Sequence, residues 1–368
     1  MIQIKAPELY INEENCTQSS GKSISQISTN ALIIGGHQAL EAVGSVLFHS
    51  LEENGVLFDT AFYSGFCTKQ AIQTFANRAV ETHSGVVIGV GGGSVLDIAK
   101  AVAEDAHLPV VTIPTIAATC AAWSALSVIY DESGKVIDHR LLKQAPKIVF
   151  ADSKILVEAP VRYLQSGIGD TIVKWYEYAP NNKNNEYDPA FQISLNTAKY
   201  ALEVLETHAV QAVEDNRQKR SSKAFKEVVD AVIALAGLVG SVNSGRYRFA
   251  AAHAIHDSMT AVSETHKSLH GEKVIFGLIA QFVLERKSEP EITHLIRSLN
   301  ELNLPVTLKQ VGIDTNFSSE KIKQIASGIK WHQEALSHLE FDINQDLVEE
   351  AIKKADELGF ESLKVINR

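Results

Sequence analysis

Four histidines fall within eighteen residues: His253, His256, His266 and His270. His253 and His256 are spaced i, i+3 and would share one helix face; His266 and His270 are spaced i, i+4. Far upstream, Gly167-Ile168-Gly169-Asp170 is expected to open a helix running on through Lys174 and Glu177. One carboxylate oxygen and two imidazole nitrogens form a recurrent metal set that suits Zn²⁺ or Fe²⁺. Spacing alone leaves a second reading open, in which these are polar residues that found ordinary partners. Apolar Ala250, Ala251, Ala252 and Ile255 predict that His253 is buried, and a buried imidazole needs a partner or a metal.

A second string bears on phosphate chemistry. The run Val86-Val87-Ile88-Gly89-Val90 leads straight into Gly91-Gly92-Gly93-Ser94, followed by Val95 to Lys100. This reads as strand, glycine turn and helix. Glycines let a ligand approach the backbone, and the free N–H groups and partial positive charge of a helix N-terminus suit a pyrophosphate. Ser94 is expected to cap that helix and offer a hydroxyl. A tight turn without a ligand is the competing reading, since the match to G-x-G-x-x-G is poor. The next strand runs out into Pro114-Thr115-Ile116-Ala117-Ala118-Thr119. Small and hydroxyl residues at a strand's C-terminal end mark where an open α/β sheet binds ligand.

These pieces need a scaffold, and the chain alternates accordingly. Short apolar runs at Ala31–Ile34, Val56–Phe58, Val86–Val90, Val110–Ile113 and Lys147–Ala151 predict parallel strands covered on both faces. Leu126–Tyr130 and Lys135–Ile137 flank Asp131-Glu132-Ser133-Gly134 and predict a hairpin. After Asp152 the apolar residues recur at helical spacing, as in Phe225–Ala236 and Val274–Val283, and helices joined by short loops are expected to Arg368. Asn181–Tyr187 reads as loop. The expected fold class is an α/β Rossmann-like N-terminal domain over residues 1–153, with an all-helical domain over 154–368 and a cleft between them.

With 368 residues, 45% of them hydrophobic, the chain has the composition of a folded two-domain protein. A net charge of −10 argues against nucleic acid or an anionic membrane as the main partner. The longest near-apolar run, Ala231 to Gly240, falls well short of the roughly 20 residues of a membrane span. Cys16, Cys67 and Cys120 lack CxxC spacing and read as reduced thiols, and no signal-like run follows Met1; both point to a cytoplasmic setting.

Five segments together resemble the iron-containing alcohol dehydrogenase superfamily and, within it, the glycerol-dehydrogenase-like branch. They are GVGGGSVLDIAKAVA (89–103), PTIAATCAAWSALSVIY (114–130), GIGDTIVKWYE (167–177), AAHAIHDSMT (251–260) and LHGEKVIFG (269–277). The resemblance implies a dehydroquinate-synthase-like architecture with metal and nicotinamide in the cleft. It implies Asp170, His253 and His270 as metal ligands, with zinc favoured over iron. It implies Gly91, Gly92, Gly93, Ser94 and Asp97 as the pyrophosphate turn, Thr115 and Ala118 as a second cofactor segment, and Ser124, Leu126 and Tyr130 around the nicotinamide. It also implies a small-molecule substrate and a homo-oligomer.

Three departures modify that picture. Glycerol dehydrogenases carry Asp where this chain has Cys120, a substrate-side position. Lys174 stands one turn beyond Asp170, where a cation would suit a substrate carboxylate; the alternative is a surface lysine. ATCAAW together with GDxxxKWYE is similar to the hydroxycarboxylate (2-oxo acid) dehydrogenases. Gly36 follows the first expected strand where NAD-preferring members have Asp, so NADP is admitted beside NAD, with Asp59 a rival ribose-binding acid. His256 is expected to be a proton-relay or supporting group. The alternatives are a glycerol or vicinal-diol dehydrogenase using NAD, a dehydroquinate-synthase-like lyase, and a nucleotide-binding protein without catalysis.

Overall fold

A computed structural model describes residues 1–243, 250–314, 318–329, 339 and 341–366. The helical expectation for 244–249, 315–317, 330–338, 340 and 367–368 lies outside the described residues. Six parallel strands form one sheet in the order β1 (Leu9–Ile11), β8 (Ile148–Phe150), β5 (Val110–Pro114), β4 (Val86–Gly91), β2 (Asn30–Gly35) and β3 (Leu57–Phe62). The remaining pair, β6 (Leu126–Tyr130) and β7 (Val136–Leu141), forms the expected antiparallel hairpin.

The apolar runs are continuous because both sheet faces are covered. Along β2, Ala31 and Ile33 enter the core on one face, while Leu32 and Ile34 enter the core on the other. The helix His37–Glu53 covers the first face; Lys69–Glu81 and Gly93–Asp105 cover the second. The strand order reverses between β2 and β4, since β3 lies outside β2 and the chain then returns to β4. Open parallel sheets bind ligands at the carboxyl ends of the strands flanking such a reversal. Gly35 pairs with Val90 there, so Gly36 and the glycine turn flank the same crevice.

From Ser153 onward the described chain is helical apart from connecting loops and the single bridging residue Val242. The core of this half takes in Val149 and Ala151 from the end of the sheet and Ala117 and Ala122 from the segment after β5. The two halves therefore share packing along one wall of the cleft. No described helix is long and apolar enough to cross a membrane.

Several local expectations need correction. The helix carrying Asp170 spans Val161–Tyr178 and starts after Pro160, so Gly167 and Gly169 lie mid-helix. Their role is close approach: a Cβ on Gly167 would sit 2.2 Å from the Ala117 carbonyl oxygen. The helix over 225–236 is interrupted, running as Lys223–Asp230, a π-helical Ala231–Leu235 and Ala236–Ser241. The loop-like NNKNNEY instead carries a 3₁₀ turn, Ala179–Asn181, and a short helix, Asn182–Asn185. Strand β1 was not expected; its three residues are too few to show a period.

Candidate functional site

The cleft between the halves holds about 420 Å³ and is lined from both sides. Its helical wall is assembled by glycine contacts. A Cβ on Gly271 would lie 1.8 Å from the Ser166 carbonyl oxygen, and one on Gly277 would lie 2.5 Å from that of Ala252. Only hydrogen at these positions lets the helix His270–Leu284 press against Val161–Tyr178 and Ala251–Met259. The Gly271 N–H donates to Ser166 Oγ at 3.1 Å, and Arg162 grips Glu272 through two nitrogens, at 2.5 and 2.7 Å.

That packing brings Asp170, His253 and His270 together. One ligand atom from each lies within 4.8 Å of the other two. Asp170 Oδ1 is 3.5 Å from His253 Nε2 and 3.3 Å from His270 Nε2. Asp170 and His253 are buried, and His270 is half-buried and faces the cleft. Burial works to raise the Asp170 carboxyl, but Lys174, His270 and His253 outweigh it and hold the group well below the usual carboxylate range. Burial works to lower His253, yet Glu177 and Asp170 prevail and the imidazole is pushed up to about 9. One anionic oxygen facing two imidazole nitrogens is a donor set that fits a divalent ion of Zn or Fe type.

His256 is not a fourth member of the triad. Its Nδ1 lies 3.0 Å from Asp257 Oδ1 and its Nε2 lies 3.1 Å from His270 Nδ1, so it supports His270 from behind. Burial pushes it well below the usual histidine range. His266 and His270 share no helix, because a 3₁₀ turn ends at Thr265 and the next helix begins at His270; His266 Nε2 lies 3.0 Å from the Thr260 carbonyl.

Lys174 is not a surface lysine. Its side chain is 13% exposed, lines the cleft beside Cys120, and holds Nζ 3.3 Å from Asp170 Oδ1. Burial works to lower its amine, but Asp170 outweighs it and keeps the group above its ordinary value, so it is a cation.

The opposite wall is the sheet edge. Gly92, Gly93, Ser94, Asp97, Ala118, Ser124, Leu126 and Tyr130 line the cleft with Cys120. Gly36, Gly91 and Thr115 lie at the ends of β2, β4 and β5, outside that lining, and the Thr115 N–H donates to the Gly91 carbonyl at 3.1 Å. Gly91 has φ 150°, a conformation L-residues rarely adopt. The helix Gly93–Asp105 is preceded by Gly92 as N-cap; Ser94 is its second residue and does not cap it. Buried Asp97 pairs with Lys100 at 2.9 Å and accepts the Val128 N–H at 3.1 Å, so it pins the hairpin to the turn helix. Lys100 also donates to the Ser124 carbonyl at 3.1 Å. Asp59 sits within β3 and is held by Arg78 at 2.6 and 2.8 Å.

Two residues of the helical wall, Glu177 behind the cleft and Lys273 lining it, had no sequence signal of their own. Glu177, two turns after Asp170, is completely buried and lies 2.5 Å from His253 Nδ1. Its periodicity with Asp170 and Lys174 was visible; its partner 76 positions away was not. Lys273, one turn beyond His270, is buried in the cleft wall, and burial pushes its amine down to about 8.

Residues 7–153 match the family described as iron-containing alcohol dehydrogenase. The chain is 34% identical to the glycolaldehyde reductase of Halobacterium salinarum, over 96% of this chain and 97% of that protein. It is 31% identical to the glycerol dehydrogenase of Pseudomonas putida, over 97% of each. It is 36% identical to hydroxycarboxylate dehydrogenase A of Escherichia coli, over 80% of this chain and 81% of that one. The crystal structure of glycerol dehydrogenase from Schizosaccharomyces pombe superposes with a TM-score of 0.91 at 28% identity, covering 99% of this chain and 92% of that one.

Proposed function

This chain belongs to the iron-containing alcohol dehydrogenase family, on its glycerol-dehydrogenase-like branch, and from that premise we propose that it interconverts a 2-oxo acid and its 2-hydroxy acid with NADP(H) or NAD(H). It is an oxidoreductase acting on a CH–OH group, so the lyase and the non-catalytic alternatives fall. The observation that carries the 2-oxo acid reading is the buried cation Lys174 in the cleft, beside Cys120 and one helical turn from Asp170. Asp170 is its counterion at 3.3 Å; with Asp170 shared by a metal, a substrate carboxylate would give Lys174 a second anionic partner, which a neutral polyol would not.

In this reading Asp170, His253 and His270 hold one divalent metal, with zinc favoured over iron. Bound there, the metal supplies a Lewis acid for the substrate oxygen. Lys174 takes the substrate carboxylate and so turns the 2-oxo group toward the triad. The sheet-edge wall would hold the nicotinamide cofactor, with Ser124, Leu126 and Tyr130 around its ring and Gly92, Gly93 and the helix N-terminus at its pyrophosphate. When bound, the nicotinamide would supply a hydride for C2 of the substrate, and a proton from solvent would complete the hydroxyl. His256, fixed by Asp257, accepts from His270 Nδ1 and leaves His270 Nε2 facing the triad.

A second reading, oxidation of glycerol or another vicinal diol with NAD, is favoured by the relatives named glycerol dehydrogenase. Steady-state kinetics of Lys174→Ala separate the two. KM for 2-oxobutyrate should rise at least about tenfold, roughly 1.4 kcal/mol of lost pairing. KM for dihydroxyacetone should change far less. Equal effects on both substrates would remove the carboxylate clamp and leave the diol reading.

A further inference from the structure

We propose that Glu177 is the positioning residue of this site: its pinned carboxylate holds a proton of His253 on Nδ1 and thereby makes Nε2 the nitrogen that gives up its proton to ligate the metal. The inference rests on the reading above that His253 is a ligand.

A fully buried carboxylate is costly unless its lone pairs are taken up. Glu177 meets that demand at one place. Oε1 accepts the backbone N–H groups of Ala250 and His253, each at 3.0 Å. The helix Ala251–Met259 has no side-chain cap at Ala250; Glu177, from a different helix, takes two of the free N–H groups there, and Gln281 Oε1 takes that of Ala252 at 3.1 Å. Oε2 is then turned toward the imidazole, 2.5 Å from Nδ1.

The two oxygens are not interchangeable, and that decides the tautomer. An ionised carboxylate only accepts, so the proton of the Glu177–His253 bond belongs to Nδ1. The other ring nitrogen, Nε2, faces Asp170 Oδ1. A carboxylate–histidine–metal arrangement of this kind fixes ring orientation and makes the ligating nitrogen more basic. Glu177 therefore orients the His253 ring, holds its proton and anchors the backbone that carries it. It touches neither substrate nor cofactor.

The same geometry makes the amide a selective probe. In Glu177→Gln the carbonyl oxygen must stay on the two backbone N–H groups, because an NH₂ there would face two donors. The NH₂ is then forced against Nδ1, which must accept, and the proton moves to Nε2, where it blocks ligation. The volume at the site barely changes.

The test is zinc titration of the chelator-stripped full-length chain, by calorimetry, for wild type, Glu177→Gln and His253→Ala, with NADH binding followed by fluorescence. Glu177→Gln is expected to lose about 10- to 100-fold in zinc affinity, with NADH affinity close to wild type. Wild-type zinc affinity in Glu177→Gln, with loss in His253→Ala, would overturn the positioning role and leave the ligand assignment standing. Undiminished affinity in His253→Ala would overturn both. Nitrogen-15 spectra of histidine-labelled, zinc-loaded wild type, assigned with His253→Ala, give a check that needs no folded Gln variant. The proton is expected on Nδ1 of His253, and a bare Nδ1 would refute the proposal.

Discussion

The two walls of the cleft solve different problems with different materials. The sheet-edge wall is mostly backbone and small side chains, including Gly92, Gly93, Ser94 and Ala118. Apart from the buried Asp97–Lys100 pair that pins the hairpin, it places little fixed charge against a ligand. The helical wall is a lattice of buried titratable groups: Asp170, Lys174, Glu177, His253, His256 and Lys273 are each buried or nearly so. A dinucleotide needs room and amide donors, which a turn and a helix terminus provide locally. A metal centre needs several donors fixed within fractions of an ångström, which no single segment provides. Substitutions on the two walls should therefore differ in kind: loss of chemistry on one, loss of cofactor affinity or choice on the other.

His270→Ala breaks the comparison most severely. It removes a triad member that is half-buried and half-facing the cleft, so the core around Asp170 and His253 stays packed. Metal content should fall toward zero, and turnover by a factor on the order of 1,000 or more, about 4 kcal/mol of barrier. Elemental analysis and NADPH absorbance read both. Full turnover at unchanged metal content would refute the triad.

Two glycine substitutions sharpen the contrast. Gly271→Ala drives a methyl group to 1.8 Å from the Ser166 carbonyl, so one backbone must shift. A stability loss of roughly 1–3 kcal/mol is expected, with zinc affinity falling as His270 is displaced. On the other wall, a Cβ on Gly93 meets nothing closer than Thr119 Oγ1 at 3.5 Å, an ordinary contact. Gly93→Ala should leave stability within about 0.5 kcal/mol while weakening cofactor binding, because its place is reserved for a ligand rather than for packing. Denaturant unfolding and NADPH titration check the pair. A destabilised Gly93→Ala with intact cofactor affinity would erase the distinction.

How far each wall could be read from the chain follows the same division. Strands β2 and β4 were legible because sheet residues buried on both faces must all be apolar, and the glycine turn because its three glycines are contiguous. The triad was legible only through resemblance: by spacing alone His253, His256, His266 and His270 were equals. What separates them is tertiary. His256 spends both nitrogens on Asp257 and His270, and His266 turns to the Thr260 carbonyl. Glu177 escaped notice because a carboxylate two turns beyond Asp170 reads as a solvated helix face until the helix at 251–259 is packed over it. The misplaced helix start has a similar cause. Gly167 and Gly169 look like a terminus in one dimension, but in three they are contact points, and the start belongs to Pro160.

The smallest expected effect concerns cofactor choice, at a position where the sheet-edge wall accepts change. Gly36 follows β2 directly, beside the glycine turn, and is the N-cap of the helix His37–Glu53, with φ −75° and ψ 153° and no side-chain cap. Aspartate favours that backbone and caps helices well, and a Cβ there meets only the Tyr63 carbonyl at 3.5 Å. Gly36→Asp should therefore fold at least as stably as wild type. Its carboxylate would repel a 2′-phosphate and accept hydrogen bonds from a free ribose, shifting the NADPH/NADH ratio of kcat/KM toward NADH by about tenfold, roughly 1.4 kcal/mol. An unchanged ratio in a stable variant would mean that the ribose lies away from the end of β2, and that this wall does not select the cofactor by charge.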